Sequence, residues 1–185
     1  MGAAVVKDMK DKMDKTIQHY KDELKTIRTG RASISMFDNI KIDYYGSPTP
    51  LSGVATLSAP EPRMITVSPW DTSMISPIEK AIQNANMGFN PSNDGKIIRI
   101  PVPQLTEERR KDLVKHVKKV AEDTKVAVRN LRRDANDRIK KMEKDKEISE
   151  DDGKKFIEQI QVATDDFIKK IDVITGEKEK EIMEI

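Results

Sequence analysis

Proline is confined to one continuous part of this chain. All nine prolines lie between Pro48 and Pro103, whereas residues 1–30 and 104–185 contain none. A proline inside a helix removes a backbone hydrogen bond and costs about 3 kcal/mol, so long helices are compatible only with the proline-free segments. The distribution predicts an inserted module, residues 31–103, within a helical domain made of residues 1–30 and 104–185.

The proline-free segments have apolar residues at spacings that alternate between three and four, which is typical of helices that bury one stripe. Two further helices are expected to begin after the N-caps Thr106 and Ser149, because acidic residues follow each. Gly30 is expected to cap the end of the first helix. The apolar stripe of the first helix is Val6, Met9, Met13, Ile17, Tyr20, Leu24 and Ile27. Long amphipathic helices need partners, so the stripes predict a long antiparallel three-helix bundle.

The inserted module is expected to be a small α/β or mostly β domain, which makes the whole chain α+β. Strands are expected at 40–44, 54–58, 64–68 and 97–102, and a turn from Gly46 to Pro50. A helix is expected to begin near Ser76, or after an earlier cap at Asp71, and to run to about Asn86. Trp70 and the pair Tyr44 and Tyr45 could form a stacking platform, but with few apolar residues available we expect them to form part of this module's core.

Several classes of chemistry have no support in the sequence. The chain has 185 residues and no cysteine, which excludes thiol catalysis and thiolate metal sites. No second histidine lies at helical spacing from His19 or His116, and both are expected on helix surfaces. No phosphate-binding loop, dinucleotide motif or zinc-protease motif is present. We therefore expect no catalytic residue, metal or cofactor, and no small-molecule substrate.

Charge is divided strongly along the chain although the net charge is only +2. Residues 107–146 contain fifteen basic and nine acidic residues, a net charge of +6, whereas residues 147–185 contain six basic and twelve acidic residues, a net charge of −6. Basic residues of the second helix recur on one face beside the apolar stripe. They are Lys118, Lys125, Arg129, Arg132, Arg133 and Lys140.

An arginine-rich face suits phosphate oxygens, because a guanidinium can donate two parallel hydrogen bonds. The alternative is pairing within the helix, Arg133 with Asp137 and Arg129 with Asp134, which yields only about 0.2–0.5 kcal/mol per pair. We favour a nucleic-acid partner for this face. A smaller basic group, Lys25, Arg28 and Arg31, lies at the first crossing between the segments.

Several motifs occur together and in order. They are IRTGRA at 27–32, YYGSPTP at 44–50, GFNP at 88–91, LTEERRK at 105–111, VAVRNLRRDA at 126–135 and DKEISEDD at 145–152. On these motifs the sequence closely resembles the bacterial ribosome recycling factor family over essentially its whole length.

The resemblance implies an L-shaped protein with a long three-helix bundle and a small β/α/β domain joined by hinges near Gly30-Arg31 and Pro103-Gln104-Leu105. It also implies a non-enzymatic, cytoplasmic protein that binds the ribosome after termination through large-subunit rRNA. With elongation factor G and GTP hydrolysis on that factor, such a protein splits the subunits. By motif match, the rRNA-binding residues would include Arg129, Arg132, Arg133, Arg28 and Arg31. A monomer with no membrane contact is expected.

Three other classes of protein remain as alternatives. A coiled-coil chaperone or adaptor would use an exposed apolar groove, and its binding would be insensitive to salt. A hydrolase would need a convergent polar pocket in the small module, which the sequence does not show. A membrane-surface helix would need its apolar stripe free, whereas the three stripes here match one another.

Overall fold

The computed structural model describes residues 1–85 and 87–184. It divides into two compact units, one made of Met1–Arg28 with the helices from Glu107 onward, the other of Thr29–Thr106. The helices are α1 (Gly2–Lys25), α2 (Ile75–Asn84), α3 (Glu107–Lys144) and α4 (Glu150–Met183). The presence of long helices together with a small sheet domain confirms the predicted α+β class.

Helices α1, α3 and α4 form the bundle, and their apolar stripes face one another. The bundle core includes Met13, Val117, Val128, Ile139 and Ile160, each fully buried. The 38 residues of α3 extend about 57 Å at about 1.5 Å per residue. The predicted stripes are therefore confirmed as the bundle core.

Contacts between the helices establish their directions. Asp8, early in α1, pairs with Arg138, late in α3, and Tyr20, late in α1, bonds to Thr175, late in α4. The start of α4 at Gly153 lies against Glu143 at the end of α3. Helix α3 therefore runs antiparallel to both of the others, as predicted.

The helix ends show one confirmed cap and one correction. The Ser149 hydroxyl accepts a hydrogen bond from the Asp152 amide at 3.1 Å, which confirms the predicted cap of α4. Helix α1 ends at Lys25 rather than near Gly30. Thr26 causes this early end, because its amide and hydroxyl both bond to the carbonyl of Glu23 and tighten the last turn.

The small unit contains two antiparallel sheets. A hairpin is formed by β1 (Lys41–Tyr44) and β2 (Ser47–Pro50). The larger sheet contains β3 (Ala55–Glu61), β4 (Met64–Pro69), β5 (Ser92–Asn93) and β6 (Ile98–Pro101), in the order β3-β4-β6-β5. Ile65 lies opposite Ile100, and Val67 lies opposite Ile98. These four side chains are fully buried, and α2 adds Ile78 and Ile82 to the same core.

The turn predicted at Gly46 to Pro50 is wrong, because Ser47–Pro50 is strand β2. The reversal is confined to Tyr45 and Gly46, whose φ angles of 51° and 82° are the left-handed pair that a two-residue hairpin requires. Strand β2 pairs on one side only, so the prolines can occupy positions where no N–H is needed.

The aromatic residues assigned to the core of the small unit are exposed instead. Trp70 is 67% exposed, Tyr45 86% and Tyr44 37%. The core is filled by aliphatic side chains together with Phe37 and Phe89, whose ring centroids lie 5.5 Å apart. Tyr44 ends strand β1 and Tyr45 lies in the reversal that follows, so both are at the tip of the hairpin.

Helix α2 begins at Ile75, before the predicted cap at Ser76. The earlier alternative is nearer to the structure, because the Asp71 carboxylate accepts the amide of Ser73 and caps a short 3₁₀ turn that leads into the helix. This bond lowers the pKa of Asp71. The helix ends at Asn84, and the predicted end at Asn86 lies outside the described residues.

We expect Tyr20→Phe to lower the free energy of unfolding by about 1 kcal/mol, because it removes one partly buried hydrogen bond. Tyr20 is fully buried, and its hydroxyl lies 2.5 Å from that of Thr175. Urea unfolding followed by helical circular dichroism measures the change. Tyr44→Phe is the matched control at an exposed position, and an equal loss in both variants would contradict this account.

The bond between Tyr20 and Thr175 also predicts that the free energy of unfolding depends on pH. Burial raises the pKa of Tyr20 above its ordinary value of 10.0. The unfolded chain therefore ionises first, so the stability that this group contributes is complete below about pH 10 and is lost as pH rises towards the folded-state pKa. The stability difference between wild type and Tyr20→Phe should shrink above pH 10, and a constant difference would count against the buried phenol.

Candidate nucleic-acid interface

Basic side chains of α3 lie on a surface that faces away from the bundle core. We define the outward basic face as Lys118, Arg129, Arg133 and Lys140. Lys118, Arg133 and Lys140 are exposed and Arg129 is partly buried. These residues share one face of α3, because they lie within about a sixth of the helix circumference at 100° per residue.

The cations of the outward basic face have no carboxylate partner among residues 1–85 and 87–184. Neither Arg133 with Asp137 nor Arg129 with Asp134, the pairs that sequence reasoning left open, forms an ion pair there. Their charge is therefore available to an anion from outside the chain.

Lys125 differs from its neighbours because it is held between helices. Its ammonium lies 2.6 Å from Asp172 of α4 and 3.4 Å from Glu122, and its side chain is only 16% exposed. The bond to Asp172 is the main cause of its raised pKa. Lys125 thus joins α3 to α4, although the sequence placed it with the cations of the outward basic face.

Arg132 lies at the edge of that face, towards α4. One of its terminal nitrogens, Nη1, donates to Oε1 of Gln161 at 3.3 Å, and the amide nitrogen of Gln161 donates to Asp165 at 2.9 Å. Sequence reasoning missed Gln161 and Asp165. The spacing of four between them indicates a pair on one face of a helix, but nothing in the sequence relates them to Arg132.

Arg138 is on the other side of α3, towards α1. Its Nη1 lies 2.6 Å from Asp8, which also accepts from Lys12 at 3.0 Å. Hydrogen bonds from Lys12 and then Arg138 lower the pKa of Asp8. Arg138 therefore provides a matched comparison for the arginines of the outward basic face.

The second basic group lies around the first crossing. Lys25 pairs with Asp22 at 3.6 Å, and Arg28 and Arg31 are both exposed. Gly30, between them, has a φ of +79°, and a Cβ there would lie 3.1 Å from the Cγ of Leu105. This backbone conformation favours glycine strongly over other residues.

The second crossing contains Pro103, Gln104 and Leu105. Within the small unit, Gln104 accepts a hydrogen bond from Arg63 at 3.1 Å. Pro103 is exposed and Leu105 is partly buried. The two crossings thus differ in backbone chemistry, because Gly30 can adopt a positive φ that other residues disfavour, whereas the ring of Pro103 fixes φ at about −65°.

The remaining features bear on the alternative classes of protein, namely an adaptor, an enzyme and a membrane-surface protein. A groove of about 1160 Å³ lies between α1 and α4, with an apolar floor that includes Ile17 and Phe167 and several lysines at its rim. His19 and His116 are exposed, as predicted. Within residues 1–85 and 87–184 no group of three or more His, Asp or Glu side chains is placed to hold a metal ion. No helix there has the length and apolar character needed to cross a membrane.

Lys125→Met should lower the free energy of unfolding by about 1 kcal/mol, the upper range for a surface ion pair, because it breaks the link to Asp172 and keeps the apolar stem. Lys118→Met should change it by less than about 0.5 kcal/mol. Urea titration of both variants distinguishes the structural lysine from the available one. Equal losses would contradict the separation of roles.

Comparison with known proteins gives a consistent family. The model of the ribosome recycling factor family matches residues 20–183. Ribosome-recycling factors of Trichlorobacter lovleyi and Pelobacter propionicus are each 56% identical to the chain over its full length and theirs.

Solved structures agree with the sequence matches. A solution structure of a ribosome recycling factor has a TM-score of 0.76 and 39% identity, covering all of this chain and 98% of that one. Models for the T. thermophilus ribosome recycling factor and the E. coli elongation factor G bound to the E. coli post-termination complex give a TM-score of 0.64 and 41% identity, with both chains fully covered. The chain belongs to the ribosome recycling factor family.

Proposed function

We propose that this chain recycles ribosomes. It binds the post-termination ribosome through large-subunit rRNA and, with elongation factor G and GTP hydrolysis on that factor, separates the subunits for reuse. The outward basic face is the observation that carries the proposal, because its arginines are available to a polyanion. Family membership and the structural relative shown with elongation factor G on a post-termination complex support it.

The proposed contacts are electrostatic and lie mainly on α3. Arg129, Arg132 and Arg133 bind phosphate oxygens through guanidinium N–H groups, which match phosphate geometry better than ammonium groups do. Lys118 contributes longer-range attraction. Arg28, Arg31 and Lys25 form a second contact near the first crossing. Lys125 supports the face by holding α3 against α4.

The chain acts as a binding and mechanical component in this proposal and not as an enzyme. Nucleotide hydrolysis takes place on elongation factor G, and the chain uses no cofactor or small-molecule substrate. It works as a monomer in the cytoplasm, where ribosomes terminate translation. The bundle, about 57 Å long, is stiff enough to anchor on rRNA while the small domain, residues 31–103, transmits force through joints at Gly30-Arg31 and Pro103-Leu105.

A helix-binding adaptor is the second candidate, and the groove between α1 and α4 is the observation that favours it. Such a groove would accept the apolar face of a partner helix. Burial of apolar surface depends weakly on salt, whereas phosphate contacts depend steeply on it. Binding to ribosomes across a salt series therefore separates the two functions.

Arg132→Ala should weaken binding to ribosomes and reduce the slope of log affinity against log salt by about one, because one phosphate contact is lost. Sedimentation with purified large subunits across a salt series measures both quantities. Arg138→Ala is the matched control, since it removes an arginine of the same helix that is paired with Asp8. Equal slopes for Arg132→Ala and wild type would contradict the proposed interface.

Gly30→Ala should leave ribosome affinity within about twofold of wild type and slow subunit splitting. An alanine at a φ of +79° costs about 1–2 kcal/mol, so the crossing would shift to another backbone conformation. Light scattering of ribosomes with elongation factor G and GTP follows splitting. Gly95→Ala, at another positive φ away from the crossings, is the control. A normal splitting rate in Gly30→Ala would refute the joint.

A further inference from the structure

Arg132 is the one arginine of the predicted rRNA-binding set on α3 that has a hydrogen-bond partner among residues 1–85 and 87–184. Its Nη1 donates to Gln161 of α4 at 3.3 Å. The side chain is only partly exposed, and its Nε is shielded from solvent with no acceptor in the described chain. Nη1 is thus bonded to α4 and Nε is enclosed, which leaves the N–H groups of Nη2 for an external acceptor.

The orientation of Gln161 is determined by a second bond. Its Nε2 donates to Oδ1 of Asp165 at 2.9 Å, one turn further along α4. A carboxylate only accepts and a guanidinium only donates, so the amide nitrogen must face Asp165 and the amide oxygen must face Arg132. The direction of donation from Arg132 to Gln161 to Asp165 is therefore the only one these groups allow.

The side-chain amide of Gln161 is uncharged, so its bond to Arg132 leaves the positive charge of the guanidinium unchanged. Helix α4 meets Lys125 with the carboxylate of Asp172 at 2.6 Å, which offsets that cation. It contacts Arg132 through the uncharged amide oxygen of Gln161. The carboxylate of Asp165 is bonded to Gln161 and not to Arg132. Arg132 is consequently held in place while its full positive charge remains available for a phosphate.

We propose that Gln161, oriented by Asp165, is a positioning residue that holds Arg132 ready for an rRNA phosphate. This inference rests on the proposed function, because it concerns the same interface. Restricting a long side chain before binding reduces the conformational entropy lost when the complex forms. Helix α4 therefore contributes to recognition of the rRNA through Gln161 without contacting the RNA itself.

Gln161→Ala tests the proposal in ribosome sedimentation across a salt series. It should weaken affinity about threefold to tenfold, the effect of freeing one long side chain. The salt slope should stay at the wild-type value, because no charge is lost. Gln159→Ala, on the same helix but lining the groove towards α1, is the matched control and should bind as wild type does.

The double variant shows whether Gln161 acts through Arg132. In the Arg132→Ala background, Gln161→Ala should cause no further loss of affinity. An equal loss in both backgrounds would overturn the proposal, because Gln161 would then act elsewhere. Asp165→Ala should reproduce a smaller part of the Gln161→Ala effect, and thermal unfolding of each variant confirms that the bundle is intact.

A measurement without ribosomes separates this inference from the proposed function. The ¹⁵N relaxation of the Arg132 Nε–H group should report a restricted side chain in wild type and a mobile one in Gln161→Ala, while Gln159→Ala leaves it restricted. Unchanged mobility overturns the positioning role. If Arg132→Ala weakens ribosome binding but Gln161→Ala does not, the inference fails and the proposed function stands. If Arg132→Ala itself has no effect on binding, both fail.

Discussion

The packing of three apolar stripes along α1, α3 and α4 is the constraint on which the other features depend. Complete burial of one isoleucine, such as Ile139, is worth about 1.5–3 kcal/mol, whereas an exposed ion pair contributes at most about 1 kcal/mol. Apolar packing therefore determines how each helix is rotated about its axis. Once Val128 and Ile139 face inward, Arg129 and Arg133 must face outward.

Rotation of the helices then decides which charges meet. Lys125 and Arg138 lie at the two edges of the α3 seam and pair with Asp172 of α4 and Asp8 of α1. Arg129 and Arg133, between those edges and solvent, have no such carboxylate among residues 1–85 and 87–184. A net charge of +2 for the chain therefore hides a division of roles, in which some cations hold the bundle together and others form a surface for a polyanion.

The predictable parts of this structure are those decided within one segment. Ser149 as a cap depends only on local residues, and so do the apolar stripe of α1 that contains Met13 and the apolar stripe of α3 that contains Val128. The predicted turn from Gly46 to Pro50 was wrong because Pro48 and Pro50 also suit a strand paired on one side. The core placement of Trp70 was wrong because aliphatic residues fill the core of the small unit. Two features depend on the register between helices, which a single sequence does not show. They are the separate roles of Lys125 and Lys118 and the position of Gln161 beside Arg132.

The central claim is that α3 presents its outward basic face to large-subunit rRNA. Electron cryomicroscopy of the chain bound to a post-termination ribosome tests it directly, at a resolution that shows arginine side chains. The account predicts guanidinium nitrogens of Arg129, Arg132 and Arg133 within about 3 Å of phosphate oxygens. A complex in which these arginines face solvent while the groove between α1 and α4 holds the contact would contradict it.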